Sequence, residues 1–97
     1  MATITISDIL DDLRAADEIT RYYERRYGLS SADFNSLYQQ GRLDDGEHTD
    51  EFAEWSAYYK VKVDREVALQ AFSGERVRQL VTQVETIKIE PLVPSIN

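Results

Sequence analysis

Tyr27-Gly28-Leu29-Ser30-Ser31-Ala32-Asp33-Phe34 closes one helix and opens the next, and the way it does so decides the fold. Gly28 can adopt the left-handed conformation that ends a helix. Ser30 and Asp33 have the spacing of a capping box, and Leu29 and Phe34 that of the hydrophobic staple that fixes a helix's entry angle. Three signals agree on one boundary, so the chain turns back here as a helical hairpin.

Upstream of the turn, a helix is expected from about Ser7 to Tyr27. Ile9, Leu13, Ala16, Thr20, Tyr23 and Tyr27 step by threes and fours along one face, flanked by Leu10 and Ile19. Asp8, Asp11 and Asp12 lie near its start and Arg21, Arg25 and Arg26 near its end, as the helix dipole favours. Asp17 and Arg21 add a pair one turn apart. Two readings compete for its beginning. Thr3 to Ile6 alternate as a short strand would; alternatively Thr5 with Asp8 forms a capping box, Ile4 with Ile9 its staple, and the helix starts at once.

Downstream, a short helix is expected from about Ser31 to Gln40, presenting Phe34, Leu37 and Tyr38 until Gly41 stops it. Residues 41 to 49 are polar, hold two glycines and read as the one internal loop. Thr49 is the expected cap of a third helix whose first turn carries Asp50 and Glu51. Phe52, Trp55, Tyr59, Val63 and Val67 recur at helical spacing beyond it.

How this helix ends is open on the residues alone. Ser73-Gly74-Glu75 can cap a fourth helix carrying Val77, Leu80, Val81 and Val84, or Gly74 can sit inside one continuous helix at a cost of about 1 kcal/mol relative to alanine. A rod from Thr49 to Thr86 would be about 55 Å long, against a radius of gyration of about 13 Å for a compact domain of this size. A break or kink near Ser73 is therefore expected; an unbroken rod would have to project and find a partner. Ile87-Lys88-Ile89-Glu90 alternates, Pro91 and Pro94 bar a helix after it, and a short strand there could pair with the N-terminal alternation. Otherwise residues 87 to 97 form an extended or flexible tail. The expectation is a single all-α domain over residues 1 to 97: a helical hairpin plus a long C-terminal helix, with short terminal strands as an option.

The chain has 97 residues, 42% of them hydrophobic, enough for a modest core without staples. It has no cysteine, and hence no disulfide, thiol nucleophile or thiolate metal site; with no signal-peptide pattern or membrane-length apolar run, a cytoplasmic protein is expected. Eleven Lys and Arg against eighteen Asp and Glu give a net charge of −7, which opposes nucleic-acid binding and suits basic partners.

The sharpest charge feature lies between Leu43 and Tyr59, where Asp44, Asp45, Glu47, Asp50, Glu51 and Glu54 occur without a single Lys or Arg. Such a run suits docking of a basic protein, though a solvated loop and an acidic helix start account for the same letters. Its spacing breaks the calcium-loop pattern at Asp44-Asp45-Gly46, and His48 is the only histidine, so neither a metal nor a cofactor is expected. No nucleophile stands at a usable spacing from His48, and no enzymatic activity is expected. Phe34, Phe52, Trp55 and Tyr23 sit on the apolar stripes as core, whereas Tyr22 and Tyr58 lie off them and are candidates for an exposed contact. A helix-turn-helix reader would offer Ser31, Asn35, Ser36, Gln39 and Gln40 to bases, but with no Lys or Arg before Arg42 its phosphate anchoring would be poor.

Residues Tyr23 to Phe34, followed by Gly41-Arg42-Leu43-Asp44-Asp45 and Asp50-Glu51-Phe52-Ala53-Glu54-Trp55, resemble a group of small bacterial proteins. These combine a glutamate-rich helix, a Tyr-Gly-Met/Leu-Ser-Ser turn, a Phe-containing helix, a Gly-x-Leu loop with acids and a Phe-x-x-Trp helix. The resemblance covers roughly residues 15 to 65, rests on structural motifs, and ends by about Ala68. Such proteins are similar to the small partners of toxin–antitoxin pairs, which implies a non-catalytic, antitoxin-like role: an acidic module that covers a basic effector such as an RNA-cleaving toxin. The alternatives are a self-assembling helical homodimer with a scaffold role and, as a minor one, a DNA-binding regulator.

Overall fold

Thr5 starts the first helix. Its hydroxyl accepts the Asp8 amide and the Asp8 carboxylate accepts the Thr5 amide, both at 3.1 Å, which is the reciprocal capping box. These bonds favour the ionised acid and hold the Asp8 carboxyl below its usual range, the Thr5 backbone bond contributing most. The computed structural model describes residues 4–43, 46–82, 86–87 and 89–92. Among these the chain is all-helical, with α1 over Ile6–Tyr27, α2 over Ser31–Gln39 and α3 over Thr49–Val81. The earlier of the two expected starts is thus the observed one, and Ile6 is helical rather than part of a strand.

Gly28 ends α1 as expected. It sits at φ 72°, and its amide donates to the Glu24 carbonyl at 2.8 Å. Two residues later the Ser30 hydroxyl accepts the Asp33 amide at 3.0 Å and opens α2. Gln40 is the C-cap of α2, followed by Gly41 at φ 70°. The start of α3 differs by one residue from expectation. Its N-cap is His48, and Thr49 is already helical.

Helices α1 and α3 run antiparallel in a constant register. Arg65 reaches Asp12 at 2.7 Å, Lys62 reaches Asp17 at 3.3 Å, the Tyr23 hydroxyl donates to Glu54 at 2.6 Å and Arg26 pairs with Glu51 at 2.8 Å. Extended to the first residue of α1, this register brings Ile6 opposite position 71. Residues 72 to 81 of α3 therefore overhang by about 15 Å.

The core sits at the turn end, where α2 lies across α3. Trp55 and Phe34 are fully buried and stack with ring centroids 3.8 Å apart and planes 5° apart. Tyr23 and Tyr27 stack on the other side of Trp55, and Phe52 closes the group against Phe34 and Tyr27. Ile19, Leu29, Tyr38 and Leu43 pack around it. All four residues assigned to the core from the apolar stripes are in it. Further along α1, Ile9 and Ala16 are buried, and buried Thr20 donates its hydroxyl to the Ala16 carbonyl at 2.9 Å.

Two expectations are corrected at the C-terminal end. The third helix is continuous through Gly74, with no break near Ser73. The chain is elongated in consequence, with a radius of gyration of 18.2 Å and a longest extent of 58 Å. Val63 and Val67, which continue the helical spacing along α3, are 42% and 65% exposed. No strand occurs among the described residues, so the terminal alternations do not pair there; Met1 to Thr3 and Lys88 lie outside the described residues, as does Val84. Instead the tail turns back on α3, where Arg76 donates to the Glu90 carbonyl at 2.8 Å and Leu92 lines a hollow with Phe72, Arg76 and Gln79.

Candidate interaction surface

One serine ties the turn to the core. Ser31, the first residue of α2, is buried and its hydroxyl accepts the Trp55 indole N–H at 2.8 Å. Its backbone amide, which has no partner inside α2, donates to the Glu24 carboxylate at 2.8 Å. Glu24 also receives Arg21 at 2.9 Å. Burial disfavours the Glu24 charge, but the Ser31 amide and hydroxyl and the Arg21 guanidinium outweigh it, so the carboxyl titrates below its ordinary range. A carboxylate from α1 thus serves as the second cap of α2. Nothing in the sequence near Ser31 signals this, because Glu24 is seven residues away across a turn.

The acidic run is divided by the same packing. Glu51 accepts the Tyr27 hydroxyl at 3.0 Å as well as Arg26, and Glu54 accepts the Tyr23 hydroxyl. Burial chiefly, with the Glu54 hydrogen bond and its charge, pushes the Tyr23 phenol well above its normal range. Arg26 is held protonated by its Tyr27 and Glu51 contacts. Glu51 and Glu54 therefore anchor the hairpin's aromatic side chains while each stays at the surface rim. Glu47 and Asp50 are exposed. Asp44 and Asp45 lie outside the described residues.

The two tyrosines proposed for contact also separate. Tyr22 is 49% exposed and meets Tyr23 edge-on, with centroids 5.0 Å apart. Tyr58 is half-buried. It stands one turn from Lys62 and two from Arg65, the residues that reach α1.

Around the start of α3, Gly46, Glu47, His48, Thr49, Asp50 and Glu51 form an open polar hollow of about 460 Å³. His48 contributes a ring packed edge-on to Tyr27 at 5.8 Å and tilted on Phe52 at 5.7 Å. It is an aromatic wall as much as a titratable group. The hollow can take a long cationic side chain, with carboxylates for the charge and aromatic edges for the stem.

No family model, curated protein or solved structure matches this chain. The surface must therefore be read from its own chemistry. Around α2, two of the residues a DNA reader would use are committed, Ser31 to Trp55 and Gln40 to Ser36 at 3.2 Å, while the Asn35 Oδ1 is buried without a hydrogen-bond partner among the described residues. No helix among the described residues is long and apolar enough to cross a membrane.

Proposed function

We propose that this protein is a non-catalytic protein–protein interaction module that binds and neutralises a basic effector in the cytoplasm, an antitoxin-like role of the kind the sequence resemblance implies. The observation that supports it is the acidic hollow at the head of α3, where Glu47 and Asp50 stand exposed beside the rim carboxylate of Glu51. Asp50 and Glu51 offset the positive end of the helix dipole, so a Lys or Arg side chain entering there meets net negative charge. Exposed Tyr22 is the second contact this reading assigns, supplying apolar area with a polar tip. An RNA-cleaving effector suits the chemistry, since its own site is built to bind phosphate and would accept carboxylates in their place.

The test is affinity purification from the native host at low and at high salt, followed by assay of the captured protein for RNA cleavage. A basic ribonuclease that is silenced by the purified protein, with loss of inhibition in the Glu47→Lys/Asp50→Lys double variant, is the expected result. Capture that ignores both salt and the charge reversal would refute the assignment.

A further inference from the structure

The long helix carries a second, unused seam. One face of α3 is met by α1 as far as position 71 and then by the returning tail at Phe72, Arg76 and Gln79. A different face, continuing the line of Phe52, Ser56 and Tyr59 past the end of α2, carries Val63, Val67, Gln70, Gly74, Val77 and Val81 at alternating steps of four and three. That is the period of a helix packing along a helix. Its four valines are 42%, 65%, 51% and 51% exposed.

Gly74 is the informative member. It is an ordinary helical residue in the interior of α3, where glycine weakens the helix, and an added Cβ would meet nothing among the described residues closer than the tip of Arg78 at 3.8 Å. The packing of the described residues gives no reason for glycine there. Close approach of another chain would.

We propose that this seam is the interface of an antiparallel homodimer, with the two-fold axis passing between Gln70 and Ala71. In that register Val67 of each copy lies over Gly74 of the other, filling the space the missing side chain leaves. Val77 and Val81 come opposite Asp64 and Lys60, at the hollow of about 230 Å³ that Asn35, Tyr59, Lys60, Val63 and Asp64 form beside α2. Asp64 falls within one residue's rise of Arg78 of the second copy on the same flank, twice by symmetry, while Glu66 on the other flank meets Ser73 and Val77. A parallel pairing would turn Asp64 and Arg78 toward the opposite flank of the second copy, near its Tyr59 and Ser73, with no opposite charge to meet, and would crowd both three-helix ends together. The antiparallel one pairs opposite charges and places those ends apart. This interface is separate from the acidic hollow and does not rest on the function proposed above.

Sedimentation equilibrium of the full chain from micromolar to millimolar concentration reads the result directly. The wild type should approach twice its monomer mass, and Val67→Asp should stay monomeric at every concentration. Gly74→Ala should melt higher as a monomer yet dimerise at least tenfold more weakly, two opposite effects that a purely intramolecular role for Gly74 could not give. Asp64→Arg and Arg78→Asp should each weaken association, and the double swap should restore it. A wild type monomeric throughout, a Gly74→Ala variant that associates as well as wild type, or a double swap without recovery would each overturn the proposal.

Discussion

Replacing Ser31 by alanine should destabilise this protein out of proportion to the one oxygen removed. The Ser31 hydroxyl is the acceptor, at 2.8 Å, for the indole N–H of a tryptophan with no exposed surface. In the variant that N–H stays buried without its acceptor, which costs about 1–3 kcal/mol. Alanine is also the better helix former, so propensity works against the loss and cannot imitate it. The backbone amide of residue 31 still reaches Glu24, so the cap of α2 is preserved. In a domain of this size each kcal/mol lowers the melting temperature by about 4–8 °C, so a fall of at least about 4 °C is expected. Trp55 is the only tryptophan, so urea unfolding followed by its emission reports on this site, and circular dichroism at the same points checks for two-state behaviour. Trp55→Phe removes the donor. Combined with Ser31→Ala it should show a coupling of about 1 kcal/mol. A Ser31→Ala change within about 0.5 kcal/mol of wild type, or strictly additive variants, would show that the bond does not hold α2 to α3.

Three further outcomes follow from the same geometry. Gly28→Ala meets no neighbour within 4 Å, so its cost is that of holding alanine at φ 72°, about 1 kcal/mol or more by denaturant titration, opposite in sign to Gly74→Ala in the monomer. The folded Glu24 carboxyl titrates below its unfolded value of 4.5, so its contribution is complete above that pH and disappears as pH falls through the lowered folded value; Glu24→Gln should flatten the stability–pH curve on the acid side of 4.5, and an unchanged slope there would count against the Glu24–Ser31 cap. Arg26→Ala removes a pair whose side chains are 47% and 31% exposed, and the loss should stay under about 1 kcal/mol and shrink with added salt in thermal melts.

What could be read beforehand was whatever is encoded within about a turn of helix. Thr5 with Asp8, Gly28, and Ser30 with Asp33 are local patterns, and each holds a helix end in place. The fates of Glu51 and Glu54 were not legible, because their partners Tyr27 and Tyr23 lie 24 and 31 residues away and meet them only through the α1–α3 register. Tyr58 is half-buried although on α3 alone it lies off the apolar stripe; it stands one turn from Lys62, whose stem counts as neither apolar nor aromatic. Gly74 misled differently. A glycine beside serine reads as a stop, yet its cost of about 1 kcal/mol is small against the ladder of a 33-residue helix held at both ends by packing.

The short second helix explains why the seam on α3 is left open. Ser31 fixes the start of α2 at Trp55, Phe34 lies between Trp55 and Phe52, and Tyr38 continues from Phe34 at a centroid distance of 5.3 Å toward the hollow it lines with Leu43, Thr49 and Phe52. The helix therefore lies across α3 and heads for its N-terminus, with only Asn35 reaching as far as Val63. Lengthening α2 past Gln40 would carry it further from Val67, not over it. Among the described residues the aromatic core fixes that direction, so α2 leaves uncovered an apolar stripe of about 27 Å along α3 from Val63 to Val81.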